Sequence, residues 1–475
     1  MTQSENSSQA PKRLLLINAQ GSKQPSGTAG MNIGMGYVAA AFRRFGWEVS
    51  YIDQGLRKCE AEDLIREAAA LGPMDVIGVH VFTIFVPYVM ELVQALRRAF
   101  PNVRLIAGGP FPSATPELAM RKFPELDALI EGEAEGAFPE FDRFLRDECP
   151  AADVPGLWAR GADGAAVRGA PRRYPDLSEY PMPAWDLMQP QRYFAIPGAQ
   201  LTAQRAIATV FTRGCPFHCA YCSAHAVTGR QVRARPMDVI LDELKMLRDV
   251  YGAQEIIAMD DGLTINRKFL LEFCRAVVRE GLNLSFSAPN GVRLDSMDRE
   301  VLDAMSAAGF YSLAVGIEAG TQSRLDKMRK QLTIQTIRDK VQLVKETAGM
   351  TLSGHFILGY PHETVEEARN TIRLARELPL DRANFFSLML LPGTEIYEEA
   401  VAEGLIQAGE FESRSAFVPG RTFAAYSETK LHLLMVEAYV GFYLTRGRFA
   451  KLLRRIRDPQ QFGLFLRLVW RIVRG

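Results

Sequence analysis

Three of the chain's six cysteines lie within eight residues, in Arg213-Gly-Cys215-Pro-Phe-His-Cys219-Ala-Tyr-Cys222. The spacing, C-x3-C-x2-C, follows directly on a β-branched and aromatic run, residues 207–211. Thiolates hold iron–sulfur clusters, and an ordinary cubane takes four of them. A local trio leaves one iron without a protein ligand, open to a molecule that must bind the metal. A zinc site is the competing assignment. Zinc usually takes four ligands, often from paired C-x2-C or C…H sets. No second pair exists here, although His218 and His225 are near enough in sequence to supply a fourth ligand. The remaining cysteines, Cys59, Cys149 and Cys274, are scattered, which is not a disulfide framework.

With aromatic Tyr221 before the last cysteine, the trio Cys215, Cys219 and Cys222 resembles the signature of radical S-adenosylmethionine (radical SAM) enzymes. That resemblance implies a 4Fe–4S cluster whose open iron is chelated by the amine and carboxylate of SAM. Electron transfer from the cluster then cleaves SAM to a 5′-deoxyadenosyl radical. It also implies an external electron donor of the flavodoxin or ferredoxin kind, and a Tyr221 that borders adenine largely through its backbone.

A loop of this kind needs a scaffold, and the chain is long enough for two or three domains at 475 residues. Hydrophobic residues at 48% and charged residues at 23% fit a soluble globular protein. A net charge of +1 makes no case for nucleic acid or for a membrane along the chain as a whole. Residues 1–11 are polar and lack an apolar signal core, which predicts a disordered tail on a cytoplasmic protein. No uninterrupted apolar run reaches the roughly 18 residues of a membrane span. The closest, residues 433–444, carries Glu437.

Residues 12–150 alternate short apolar runs with helical spacing. Strands are expected at 13–18, 47–53, 75–80, 103–108 and 127–131, a doubly wound parallel sheet. Ligands of such sheets sit at the carboxyl ends of the strands. The chain there is loop-like, at Ser26-Gly-Thr-Ala-Gly30, Val81-Phe-Thr83, Gly108-Gly109-Pro110 and Gly132-Glu133-Ala-Glu135. A dinucleotide site is disfavoured, since no G-x-G-x-x-G follows the first strand. Together the loops resemble the cobalamin-binding domain that precedes the radical SAM domain in one large subfamily. The resemblance implies cobalamin contacts at Gly30, Thr83, Gly108, Gly109, Pro110, Gly132 and Glu133. The histidine-donating D-x-H-x-x-G motif of other cobalamin proteins is absent, so cobalamin would bind base-off. Phe111 stands where these proteins often carry histidine, and is expected to form an aromatic wall of the site.

Residues 151–200 are rich in Pro, Gly and Arg and are expected to form a linker. Strand-like runs then recur over residues 201–400, at 255–260, 284–288, 312–317, 352–358 and 383–391. With the strand before Cys215 they predict a partial (β/α)6 barrel, in which chemistry collects at the strand carboxyl ends. By resemblance, Asp261 or its neighbour Asp260 meets the amine of SAM, and Glu318 of Gly316-Ile-Glu318 contacts ribose. Arg293 and Gly359 complete the SAM set, Gly359 lying in the fifth-strand motif that lines adenosine. The family usually has glycine where His355 and His362 stand, so these are candidate substrate-facing acid–base groups. Structurally, acids at strand ends also cap helices and Arg293 also suits a surface ion pair.

The resemblance spans residues 12–400 and implies a cobalamin-dependent radical SAM methyltransferase acting on an unactivated carbon of a small molecule. Two alternatives stand beside it. One is a cyclase or rearrangement enzyme of the same architecture, the other a non-catalytic iron–sulfur electron carrier. Residues 401–475 are expected to be helical. Residues 446–475 hold nine Arg or Lys and one acid, Asp458. Within them Arg467, Arg471 and Arg474 share one face of a helical pattern otherwise covered by apolar residues, including Trp470. Such a helix suits either a membrane interface or packing on the barrel.

Overall fold

The computed structural model describes residues 10–21, 31–56, 59–194, 205–347, 350–445 and 447–448. It divides into two units, residues 1–189 and 190–475. The first unit is built on strands β1 (Arg13–Asn18), β2 (Glu48–Asp53), β3 (Val76–His80), β4 (Arg104–Gly108) and β5 (Ala128–Ile130). They pair in parallel in the order β2-β1-β3-β4-β5. Leu14, Leu15, Leu16 and Ile17 are all buried in β1, which is why the central strand reads as a continuous apolar run. Helices cross between successive strands. The first, Ile33–Arg44, starts where the Asn32 side chain accepts the Met35 N–H. The order reverses between β1 and β3, and at that point the carboxyl ends of a doubly wound sheet open a crevice.

The supposed linker departs from expectation. Strands β6 (Leu157–Arg160) and β7 (Ala166–Arg168) form an antiparallel hairpin added to β5, extending the first sheet to seven strands. Leu157, Trp158 and Ala159 are buried against the sheet. Further on, Ala184 donates its N–H to the Gly36 carbonyl, Asp186 pairs with Arg43 at 2.8 Å, and Trp185 is buried. Residues 157–160, 166–168 and 184–188 therefore belong to the first unit. Residues 195–200 lie outside the described residues, as does the greater part of the predicted tail.

The second unit holds a six-stranded sheet of β8 (Ala206–Thr209), β11 (Glu255–Ala258), β12 (Ser285–Val292), β13 (Phe310–Glu318), β14 (Thr351–Leu358) and β15 (Arg382–Ser387). All five pairings are parallel and follow chain order, as a partial (β/α)6 barrel requires. Between β8 and β11 the short strands β9 (Thr212–Arg213) and β10 (Arg233–Ala234) pair antiparallel and close the base of the cysteine loop. Helices with one apolar face join the strands. Val365–Glu377, for example, carries a reciprocal capping box between Thr364 and Glu367 and buries Ala368, Ile372 and Ala375.

An edge strand presents unpaired backbone groups that need covering. On β15 the Tyr439 hydroxyl bonds both the N–H and the C=O of Phe385, and the Tyr443 hydroxyl does the same for Ala383. Both tyrosines stand on the helix Glu428–Tyr443; the described residues 403–427 before it are turns and loop, so the expected helical C-terminal region is helical there only in part. The basic and apolar pattern over residues 462–474 lies outside the described residues. Among the described residues no helix is long and apolar enough to cross a membrane.

Candidate active site

At the carboxyl end of the barrel strands lies a cavity of about 360 Å³, within the range of small-molecule sites. Cys215, Cys219 and Cys222 open onto it, together with Tyr221, Asp261, Arg293, Glu318, Lys330 and His355. The sequence-predicted set of the barrel thus largely converges on one chamber. Asp260, Gly359 and His362 do not line it.

The cysteine loop is braced from several sides. Ala220 donates its N–H to the Met328 carbonyl at 3.0 Å, and its own carbonyl accepts the Ile396 N–H at 3.0 Å. The Arg293 guanidinium lies 3.5 Å from the centre of the Phe217 ring, between Cys215 and Cys219, while Arg230 donates to the Phe217 carbonyl. Burial pushes the Cys215 thiol up, with Asp261 and Cys219 adding to it, and carries Cys222 to about 11. Such thiols need a metal to hold them deprotonated. Among the described residues no three His, Cys, Asp or Glu side chains close on a single ion. Three thiols spread along a pinned loop fit a cluster, whose ligands bind separate irons.

Adjacent acids after β11 have different tasks. Asp260 is buried and accepts the N–H groups of Phe211 and Thr212 and the Thr212 hydroxyl, the last at 2.7 Å. Burial drives its carboxyl up to about 6 against those donors. It ties β11 to the segment entering the cysteine loop and is structural. Asp261, one residue on, is exposed to the cavity and accepts from the Thr228 hydroxyl at 2.7 Å. Of the two, Asp261 is placed to meet a ligand.

Glu318 closes β13 with φ of +70°, a conformation rare outside glycine, and the β13–β14 register shifts between Gly316 and Glu318. This irregularity turns the Glu318 carboxylate onto Lys330 at 2.8 Å. Gly316 leaves room for the pair: a Cβ there would stand 2.3 Å from Glu318 Oε1 and 2.7 Å from Lys330 Nζ. Burial opposes charge on Lys330, but the Glu318 carboxylate and then Cys219 outweigh it and hold the ammonium up. Tyr221 hydrogen-bonds Glu318 through its side chain, and burial together with that carboxylate keeps its phenol protonated. Tyr221 therefore contributes a ring and a hydroxyl as well as backbone. Lys330 was not singled out from sequence; it follows a helix in Met328-Arg-Lys-Gln331, with only its charge as a signal.

The two histidines separate. His355 lines the cavity edge-on to Phe386, ring centres 5.3 Å apart, and burial lowers its pKa so that it is neutral at pH 7. His362 is on the surface, its Nε2 2.7 Å from Glu403, and its backbone bonds Phe423. Its place in an exposed turn removes it from the substrate-facing set. Gly359 is buried under Thr422 and Leu431, its N–H held by Glu363 and by the Tyr426 hydroxyl, so Ile357 rather than Gly359 faces the chamber.

In the first unit the predicted loops also stand at the strand carboxyl ends. Gly109 has φ of +110°, and a Cβ there would lie 2.8 Å from the His80 ring. Gly108 faces open space, with nothing within 4 Å of a Cβ position, so a ligand can approach the backbone there. Pro110 begins a short helix, and Thr83 begins the 3-10 turn after β3. The Gly132 N–H is held by the Ser113 hydroxyl, and Glu133 is buried and accepts from the Tyr180 hydroxyl at 2.7 Å. These features fit an open, glycine-lined cradle for a large planar cofactor. Glu133 acts inside the unit rather than on its surface. Phe111 differs from expectation: it is buried in the core, its ring against Phe123, and forms no wall of the cradle. His80 is an addition, held neutral by burial with its pKa near 4. Gly30 lies outside the described residues.

The Radical SAM superfamily matches residues 209–375, and the B12 binding domain matches residues 25–142. An uncharacterized methyltransferase of Pyrococcus horikoshii is 29% identical over 427 residues, covering 89% of this chain and 90% of its own. The anaerobic magnesium-protoporphyrin IX monomethyl ester cyclase of Rubrivivax gelatinosus is 26% identical over 421 residues, covering 86% and 73%. The radical SAM methyltransferase TsrM of Kitasatospora setae, solved with tryptophan and a SAM analogue, superposes with a TM-score of 0.68. It covers 82% of this chain and 76% of its own at 19% identity, a likeness of fold. With a cysteine loop at the mouth of a partial barrel, a glycine-lined cradle before it and both domains matched in order, the chain belongs to the cobalamin-binding radical SAM family.

Proposed function

We propose that the protein is a cobalamin-dependent radical SAM methyltransferase acting on an unactivated carbon of a small molecule. The observation that carries it is the convergence of three thiols, a carboxylate, a carboxylate–ammonium pair and a neutral imidazole on one chamber. An electron carrier needs no such chamber. Bound together, a 4Fe–4S cluster, SAM and cobalamin supply one-electron cleavage of SAM and methyl transfer to a carbon that lacks an acidic proton.

The chain's own part is to hold and orient. Cys215, Cys219 and Cys222 would hold the cluster as thiolates, their positions fixed by the bracing of Ala220 and Phe217. Asp261, exposed to the chamber, would meet the amine of SAM. Glu318, oriented by Lys330 and Tyr221, accepts from ribose hydroxyls. Gly108, Gly109, Pro110 and Gly132, with Thr83, cradle cobalamin. Chambers of this kind act by exclusion of water and by alignment more than by proton transfer. A flavodoxin- or ferredoxin-like donor supplies the electron. The basic and apolar sequence of residues 446–475 suits packing on the barrel or a peripheral membrane contact, which flotation with anionic vesicles separates.

Methyl transfer is separated from ring formation by anaerobic turnover with methyl-labelled SAM and cell extract, followed by mass spectrometry. Label should appear in a product. Deoxyadenosine formation without labelled product would favour the cyclase alternative, the activity for which the Rubrivivax relative is named. Substituting alanine for any of Cys215, Cys219 and Cys222 should abolish both cluster absorbance and SAM cleavage. The same change at Cys59, Cys149 or Cys274 should spare both.

A further inference from the structure

We propose that His80 supplies an axial nitrogen ligand to the cobalt of cobalamin, a place that no D-x-H-x-x-G motif fills in this chain. The proposal rests on the cobalamin reading of the first unit and adds a protein ligand to the base-off cofactor expected there.

Position comes first. His80 is the last residue of β3, beside the reversal of strand order between β1 and β3 where a doubly wound sheet receives its ligand. It pairs with Asn18 on β1 and with Gly108 on β4. Side chains alternate along a strand, so residues paired in register across parallel strands project from the same face. On that face Gly108 opens on free space, with nothing within 4 Å of a Cβ position. Gly109, at φ of +110°, makes room for the imidazole beside it. A Cβ there would stand 2.8 Å from His80 Cδ2 and 2.9 Å from Nε2. The Nε2 edge of the ring therefore lies against the glycine turn whose backbone a cofactor can approach.

The neighbouring polar groups are committed elsewhere. Asn18 donates to Asp53 at 2.8 Å and accepts from Asn32 at 3.1 Å. Asp53 also takes the Tyr51 hydroxyl at 2.9 Å and the Gly55 N–H at 2.7 Å. The His80 side chain, by contrast, makes no hydrogen bond to another described residue. Polar groups in such surroundings ordinarily find a protein partner. An imidazole left without one, at the edge where a ligand enters, is available to that ligand. Burial keeps the ring neutral at pH 7, the form that offers a lone pair to a metal. Imidazole nitrogen is a common ligand of first-row transition metals. Coordination moves no proton or electron: the lone pair enters an axial position of cobalt, and water or the cofactor's own base leaves it.

Electron paramagnetic resonance tests this on full-length protein made with cobalamin available. Mild reduction brings cobalt to Co(II) while the cluster stays oxidised and silent. One axial nitrogen of ordinary isotopic composition splits the cobalt lines into triplets. Uniform nitrogen-15 labelling of the protein, with unlabelled cobalamin, should turn those triplets into doublets. His80→Ala should abolish the splitting with corrinoid still bound, and free imidazole should restore triplets; His80→Gln serves if the alanine variant loses its corrinoid. Triplets that survive labelling of the protein would assign the nitrogen to the cofactor's own base. Bound Co(II) corrinoid with no splitting would leave cobalt without a nitrogen ligand, and doublets that persist without His80 would assign another residue. Each of these three overturns the proposal and spares the cobalamin reading. A reconstituted protein with no corrinoid absorbance fails that reading itself, and the proposal with it.

Discussion

Asp260 and Asp261 are neighbours of one type, yet alanine substitution should produce opposite phenotypes. Asp260→Ala removes the acceptor of the buried N–H groups of Phe211 and Thr212 and of the Thr212 hydroxyl. Phe211 and Thr212 are almost fully buried, so water does not replace the carboxylate. Leaving a buried donor unsatisfied costs about 1–3 kcal/mol. The carboxylate itself is penalised by burial, which lifts its pKa to about 6, and its removal returns part of that cost. A net loss of about 3 kcal/mol follows, which for a unit of this size lowers the melting temperature by roughly 5 °C. Asp261→Ala removes an exposed carboxylate that accepts from the Thr228 hydroxyl, and should leave melting within about 2 °C. It should instead weaken SAM binding about tenfold or more, an ion pair's loss in a partly closed chamber. Scanning calorimetry and equilibrium dialysis with SAM, both on anaerobically reconstituted protein, measure the two effects. If Asp260→Ala melts like wild type while losing SAM, the roles have been assigned the wrong way round.

Two further perturbations follow from the buried charges. Lys330→Met leaves Glu318 buried without its counter-ion, and SAM affinity should fall at least tenfold with cluster content unchanged. Lys330→Arg should restore part of it, and a Met variant that binds SAM within twofold of wild type contradicts the role. Glu363 accepts from Gly359 N–H and Tyr426, and burial raises its carboxyl to about 7, above the ordinary value of 4.5. Because the folded state holds this proton more tightly than the unfolded chain, its contribution is fully present below about pH 4.5 and is lost as pH rises through 7. Glu363→Gln should flatten that slope in urea unfolding at pH 5.5 and pH 8, a difference on the order of a few kcal/mol. An unchanged slope would place the pH dependence elsewhere.

What the sequence discloses here depends on whether a property is periodic, local or made in three dimensions. Strands such as β1 and β14 are apolar runs buried almost throughout, so their alternation with helices was legible. The hairpin β6–β7 was not, since four and three residues carry too little periodicity to stand out among Pro, Gly and Arg. The cysteines announce themselves because one short loop carries all three. Lys330 is different: its partner Glu318 is twelve residues away, and only the shifted register after Gly316 brings the two together. Asp260 and Asp261 show the same limit from the other direction. Their sequence signal is shared, but successive residues at a strand end point to opposite sides, one toward the β8 segment and one toward the chamber. Phe111 and His362 fail for a related reason. Position in a motif locates a residue along the chain, while burial decides whether its side chain meets a ligand. Phe111 turns inward onto Phe123, and His362 outward onto Glu403.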